Sequence, residues 1–142
     1  MQLIDELARW QLIPLTFAQS AVAASQTAVA LLAQEVHGAV ALDNLGYTVP
    51  FEGYVVGVSL NTTAASTDGT LTVAPTIDTV ATTDPSLAIT TAVVGKDFCP
   101  RTTNYFAANS VIGADLTTTG TWTAETMDLL VQVWVLVKID SI

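Results

Sequence analysis

The sequence predicts an all-β domain, an antiparallel two-sheet sandwich carrying a short amphipathic helix and arm at its N-terminus. Three observations predict it. From His37 onward, β-branched and aromatic residues alternate with small polar ones at a period of two. Turn-forming clusters interrupt these runs at intervals of roughly ten residues. No helical segment of useful length separates one run from the next, which excludes a parallel βαβ architecture. At 142 residues the chain forms one domain, large enough to bury a core without staples.

The first dozen residues read differently from the rest. Leu3, Ile4, Leu7 and Ala8, continued by Gln11 or Leu12, recur at helical spacing, with Asp5, Glu6 and Arg9 on the remaining arc. Pro14 is read as the stop of this helix. A helix so short needs a surface to pack on. Residues 15–34, rich in Ala, Ser, Thr and Val, fit either period. Residues 1–34 are therefore assigned to an N-terminal helix and arm, and 35–142 to the sandwich.

The strands follow in order. In "GYVVGVSLN" the alternation groups Tyr54, Val56, Val58 and Leu60 against Val55, Gly57, Ser59 and Asn61. "GTLTVAPTID" sets Leu71, Val73 and Ile77 against Thr70, Thr72 and Thr76. "SLAITTAV" groups Leu87, Ile89, Thr91 and Val93, and "VIGADLTTT" places Ile112, Ala114 and Leu116 opposite Asp115 and Thr117. Turns are expected at Asp43-Asn44-Leu45-Gly46, Asp68-Gly69, Asp84-Pro85, Asn109-Ser110 and Thr119-Gly120. The last strand, within "MDLLVQVWVLVKID", puts Leu129, Val131, Val133, Val135, Val137 and Ile139 on one aliphatic face. Its other face carries Leu130, Gln132, Trp134, Leu136, Lys138 and Asp140, and is too apolar to stand in water uncovered.

Charge and length exclude several partners. Thirteen acids against four lysines and arginines give a net charge of −9, with no cationic cluster for nucleic acid or an anionic membrane. The uninterrupted apolar run near the C-terminus is less than half of the about 20 residues that a spanning helix needs. The uncharged stretch between Arg9 and Glu35 is broken by too many Gln, Ser and Thr residues to span. The acidic start lacks the positive region of a secretory signal, so a cytoplasmically made protein is expected.

Chemistry is sparse. His37 is the sole histidine and Cys99 the sole cysteine, so neither the short paired spacings of a metal site nor a disulfide is available. No glycine-flanked nucleophile of the G-x-S-x-G kind is present. "TIDTVATT" departs from the D-T-G signature of aspartic proteases, because Val80 stands where glycine is needed. Asp43, Asp68, Asp78 and Asp84 read as solvated turns, without the spacing of a calcium loop. Asn61-Thr62-Thr63 fits a glycosylation acceptor, a pattern that arises easily in a threonine-rich chain. No catalytic residue, cofactor or metal is assigned.

The segments "VPFEGYVVGVSLNTTAASTDGTLTVAPTID" and "NYFAANSVIGADLTTTGTWTAETMDLLVQVWV" resemble small structural proteins of tailed bacteriophages, above all the capsid decoration or cement proteins. The resemblance spans residues 15–137. It rests on Pro50 and Gly53, on Gly-Thr-Leu-Thr-Val at 69–73, on Phe106-Ala107-Ala108 followed by Gly113, and on Trp122-Thr123. It implies a jelly-roll-like β-sandwich and a non-enzymatic role on the outer capsid surface of the virion. The major capsid protein is the implied partner, and a homo-oligomer, a trimer above all, the implied assembly. The amphipathic N-terminal helix departs from that pattern. Related sandwiches serve in head and tail fibres, so host-surface carbohydrate recognition is the alternative. On this reading Leu130, Trp134 and Leu136 meet a sister subunit or the chain's own N-terminal segment. Leu3, Leu7 and Trp10 anchor the helix to the capsid.

Overall fold

A computed structural model of the chain describes residues 9–33, 46–124 and 126–139. Among these residues the structure is all-β, with strands β1 (Trp10–Gln19), β2 (Val29–Ala30), β3 (Tyr47–Thr48), β4 (Gly53–Thr62), β5 (Leu71–Ile77), β6 (Val80–Ala81), β7 (Leu87–Ile89), β8 (Val94–Phe98), β9 (Asn104–Phe106), β10 (Val111–Thr118) and β11 (Leu129–Lys138). They form two antiparallel sheets. The first runs β1-β11-β4-β8, with β9 continuing the β8 position along β4. The second runs β2-β10-β5-β6, with β3 sharing the β2 side of β10 and β7 the β6 side of β5. Each sheet is thus four positions wide, and the first strand lies beside the last.

The core fills the space between the sheets, and the period-two pattern explains why. Leu129, Val131, Val133, Val135 and Val137 of β11 are all buried, as are Leu71 and Val73 of β5 and Ile112, Ala114 and Leu116 of β10. Val22, Leu31, Val49, Trp122 and Met127, from the connections, close the ends. The flanks are closed too. Ala18 of β1 exchanges hydrogen bonds with Leu32 (2.9 and 3.2 Å), and on the other side Gly95 of β8 packs against Leu87 and Ile89 of β7. The Asp68-Gly69 turn requires its glycine: Gly69 has φ of +81°, and an added Cβ would lie 2.5 Å from the backbone nitrogen of Trp122.

The expected N-terminal helix is not observed. Residues 10–13 belong to β1, which pairs with β11 from Trp10↔Lys138 to Gln19↔Leu129, while residues 1–8 lie outside the described residues. The boundary expected between 34 and 35 also lies outside them. Apolar residues fall on both faces of β1, which hides its period of two. Pro14, read as a helix stop, is an edge-strand residue. Ala18 turns its N–H and C=O away from β11 toward Leu32, and the Thr16 carbonyl on the same side accepts a bond from Tyr47 Oη (3.2 Å). Pro14 has the same parity, so the hydrogen it lacks would point off the sheet, where its absence costs no ladder bond. An edge bearing proline also resists pairing with another strand.

A second correction concerns β4. Trp134 pairs with Gly57 but Val135 pairs with Val55, so Val56 is an extra residue, a β-bulge. The bulge reverses the expected grouping. Val55 turns inward with Val58 and Leu60, and Tyr54 moves to the outer face with Gly57, Ser59 and Asn61. It also marks the point where β4 changes partner from β8 to β9, with the Val56 carbonyl accepting a bond from Cys99 N (3.0 Å).

The packing makes β1 integral to the sandwich, since Phe17 is fully buried against the core and meets Tyr47 edge-to-face at 5.4 Å. Phe17→Ala should therefore lower the unfolding free energy by about 3–5 kcal/mol in urea titration; a change below about 1 kcal/mol would mean that β1 does not pack on the core.

Candidate interaction face

The outer face of the first sheet is assembled from rows that cross its four positions. One row is Leu12, Leu136, Tyr54 and Tyr105; the next is Pro14, Trp134, Gly57 and Phe98. A polar row follows, Thr16, Gln132, Ser59 and Lys96, and then Ala18, Leu130, Asn61 and Val94. Trp10 and Lys138 head the face. The antiparallel register, together with the bulge, aligns these side chains although they come from five separate strands.

Contacts within the face are specific. The Phe98 ring lies over Gly57, where an added Cβ would come within 2.3 Å of it, so a glycine in mid-strand makes room for an aromatic cover. Beside it Trp134 donates its indole N–H to Ser59 Oγ at 3.0 Å. Trp10, Tyr54 and Tyr105 form a chain of rings with centroids 5.8 and 5.7 Å apart, the second pair edge-to-face. Tyr105 Oη donates to Glu52 Oε2 (2.9 Å), and Lys138 Nζ stands 3.6 Å from Glu52 Oε1.

The face remains largely open. Leu12, Val94, Phe98, Tyr105 and Leu130 keep 54, 62, 52, 53 and 45% of their surface exposed, so five of the nine most exposed large apolar side chains among the described residues share it. Fully burying such a side chain is worth about 1.5–3 kcal/mol. Half-burying five is worth several kcal/mol, comparable with the lower estimates of about 4–15 kcal/mol for the entropy cost of association.

Of the residues singled out from sequence, Leu130, Trp134 and Leu136 lie on this face, with Leu130 exposed and the other two half-buried. Trp10 joins them, from a strand and not from a helix. Leu3 and Leu7 lie outside the described residues, as does His37. Sequence reasoning missed Leu12, Tyr54, Phe98, Val94 and Tyr105. The alternation of Val94, Lys96 and Phe98 was a legible signal; nothing local marked Tyr105.

The other surfaces are more polar. On the outer face of the second sheet, a groove of about 300 Å³ is lined by Ala28, Ala30, Gly46, Thr76, Gly113 and Asp115, and burial pushes the Asp115 carboxyl above its ordinary range. Near the β8–β9 connection Cys99 is half-buried; burial first, and then the charge of Asp84, raise its thiol pKa, which disfavours the reactive thiolate. No group of three His, Cys, Asp or Glu side chains among the described residues is placed to hold a metal ion. The chain matches no known protein family and no curated protein.

Two titrations follow from these environments. The hydrogen bond to Glu52, with a smaller contribution from burial, raises the Tyr105 phenol pKa. Ultraviolet titration should therefore show a late-ionising tyrosine component that moves to lower pH in Glu52→Gln. A raised folded-state pKa at Asp115 means that its protonated form suits the fold better, so its charge lowers stability at neutral pH and ceases to do so as the carboxyl protonates in acid. Asp115→Asn should melt at a higher temperature than the parent at neutral pH, with the gap closing as the pH falls; a constant gap would assign the effect to something other than ionisation.

Proposed function

We propose that this protein is a non-enzymatic structural protein that attaches to the outside of a tailed-phage capsid and reinforces the shell. The observation that carries this reading is the broad, exposed apolar face of the first sheet, a surface shaped for protein contact and not for enclosing a small substrate. The two segments that resemble decoration proteins fall on the strands that build the framework: the first spans β4 and β5, the second β9, β10 and β11. The strand order supports a jelly roll: eight positions in two four-stranded antiparallel sheets, with the chain crossing between sheets and its first strand beside its last. Attachment of this kind needs many modest contacts repeated over a lattice, because simultaneous engagement converts weak single affinities into durable binding.

A second reading has one specific observation in its favour. At the lower end of the face a shallow depression of about 480 Å³ places Leu130 beside Asn61, Ser20, Thr63 and Asp128, an apolar surface ringed by hydroxyl, amide and carboxylate groups. Such a mixture suits a sugar ring, as a fibre module for host-surface carbohydrate would require.

Purified protein mixed with shells lacking it should co-sediment to a saturating, fixed number of copies per shell and raise the shells' melting temperature. Deleting residues 1–8, which precede β1 and carry Leu3 and Leu7, should reduce that binding without lowering the melting temperature of the protein itself. Failure to bind shells, together with selective capture on a glycan array lost in Asn61→Ala, would replace this reading with carbohydrate recognition.

A further inference from the structure

We infer that the outer face of the first sheet is covered by a second copy of this chain, joined face to face about a two-fold axis. The inference rests on the reading of that face as a protein-contact surface, and it names the partner.

The size of the face fits. Four strand positions about 4.8 Å apart, three of them ten residues long at about 3.3 Å per residue and the fourth shared by β8 and β9, span roughly 600 Å² in projection, and accessible area exceeds projection. That is the scale of the roughly 800 Å² per partner that a stable interface of standard size buries.

Charge favours a copy of the same chain. Among the described residues the face and its rim hold Lys96, Lys138, Glu52 and Asp128, a sum of zero, so the net charge of −9 is carried by the rest of the chain. Two such molecules repel each other in most orientations. This face is where they can meet with the least like-charge cost.

A two-fold contact applies the same patch to itself, so the patch must not carry polar groups that only a different partner would satisfy. Three polar contacts that rim and cross this face are made within the chain: the Trp134 indole on Ser59, the Tyr105 hydroxyl on Glu52, and Glu52 beside Lys138. A ring of three would need a second apolar patch, complementary to the first, elsewhere on the molecule. Among the described residues the remaining exposed large apolar side chains are Val29, Leu32, Val80 and Val93, from separate connections and short strands, and they do not form one. Extension of the sheet through its β1 edge is disfavoured by Pro14 and by the Ala18–Leu32 bridge.

The test is sedimentation of the full chain, without shells, from micromolar to submillimolar concentration. A reversible dimer of twice the 14.9 kDa protomer is expected. Leu12→Lys and Val94→Lys, at positions more than half exposed, should each weaken dimerisation by about tenfold or more with no change in the melting temperature of the dilute monomer, because each places a charge in the contact that must be desolvated. Val80→Lys, 70% exposed on the second sheet, should leave the dimer intact. A monomer at every concentration, a trimer, or a dimer indifferent to both lysines on the face overturns the inference. So does a Leu12→Lys or Val94→Lys protein that stays dimeric but no longer binds shells, which would give the face to the capsid. A monomer that still binds shells would remove the dimer and leave capsid attachment standing; a dimer that ignores shells would do the reverse.

Discussion

The structure depends on one strand with neighbours on three sides. β11 is hydrogen-bonded to β1 along one edge and β4 along the other, its inner side chains form a continuous buried aliphatic row, and its outer side chains form the middle of the exposed apolar face. A sheet residue has only two faces, and here both are apolar. The inner row is buried by the second sheet, as in any sandwich. Among the described residues the outer row has no second layer, so its apolar side chains stay accessible to a partner.

The elements around β11 are adapted to that imbalance. β1 covers one flank and adds Trp10, Leu12 and Pro14 to the outer surface, while its proline sits where the missing N–H is harmless and where strand addition is discouraged. The bulge at Val56 does two jobs with a single extra residue. It lets β4 pair with β8 over one half and β9 over the other, and it swings Tyr54 outward to join the ring chain of Trp10 and Tyr105. Gly57 beside it leaves space for the Phe98 ring. Without the bulge, Tyr54 would point into a core already filled by valines.

The contrast between the two sheets has an electrostatic side. The outer face of the first sheet presents aromatic rings, two of which, Trp134 and Tyr105, have their polar ends tied up internally, whereas that of the second presents threonines, small residues and a carboxyl, Asp115, whose charge is poorly solvated. The acidic charge is thus carried away from the apolar face, which is nearly neutral.

The sequence by itself determined the all-β class, the inner faces of β5, β10 and β11, and the turn at Gly69, because each depends on alternation or turn chemistry that neighbouring residues carry. It also marked Leu130, Trp134 and Leu136 as a face in need of a cover. It misread β1, since a strand apolar on both sides has no visible period of two and Pro14 has opposite meanings in a helix and on a sheet edge. It misassigned Tyr54, because a bulge is a relation between two strands and has no signature within one. The alignment of Tyr105, Phe98 and Trp10 with β11 was decided only by the tertiary structure, for register between strands distant in the chain is fixed by how the whole core packs.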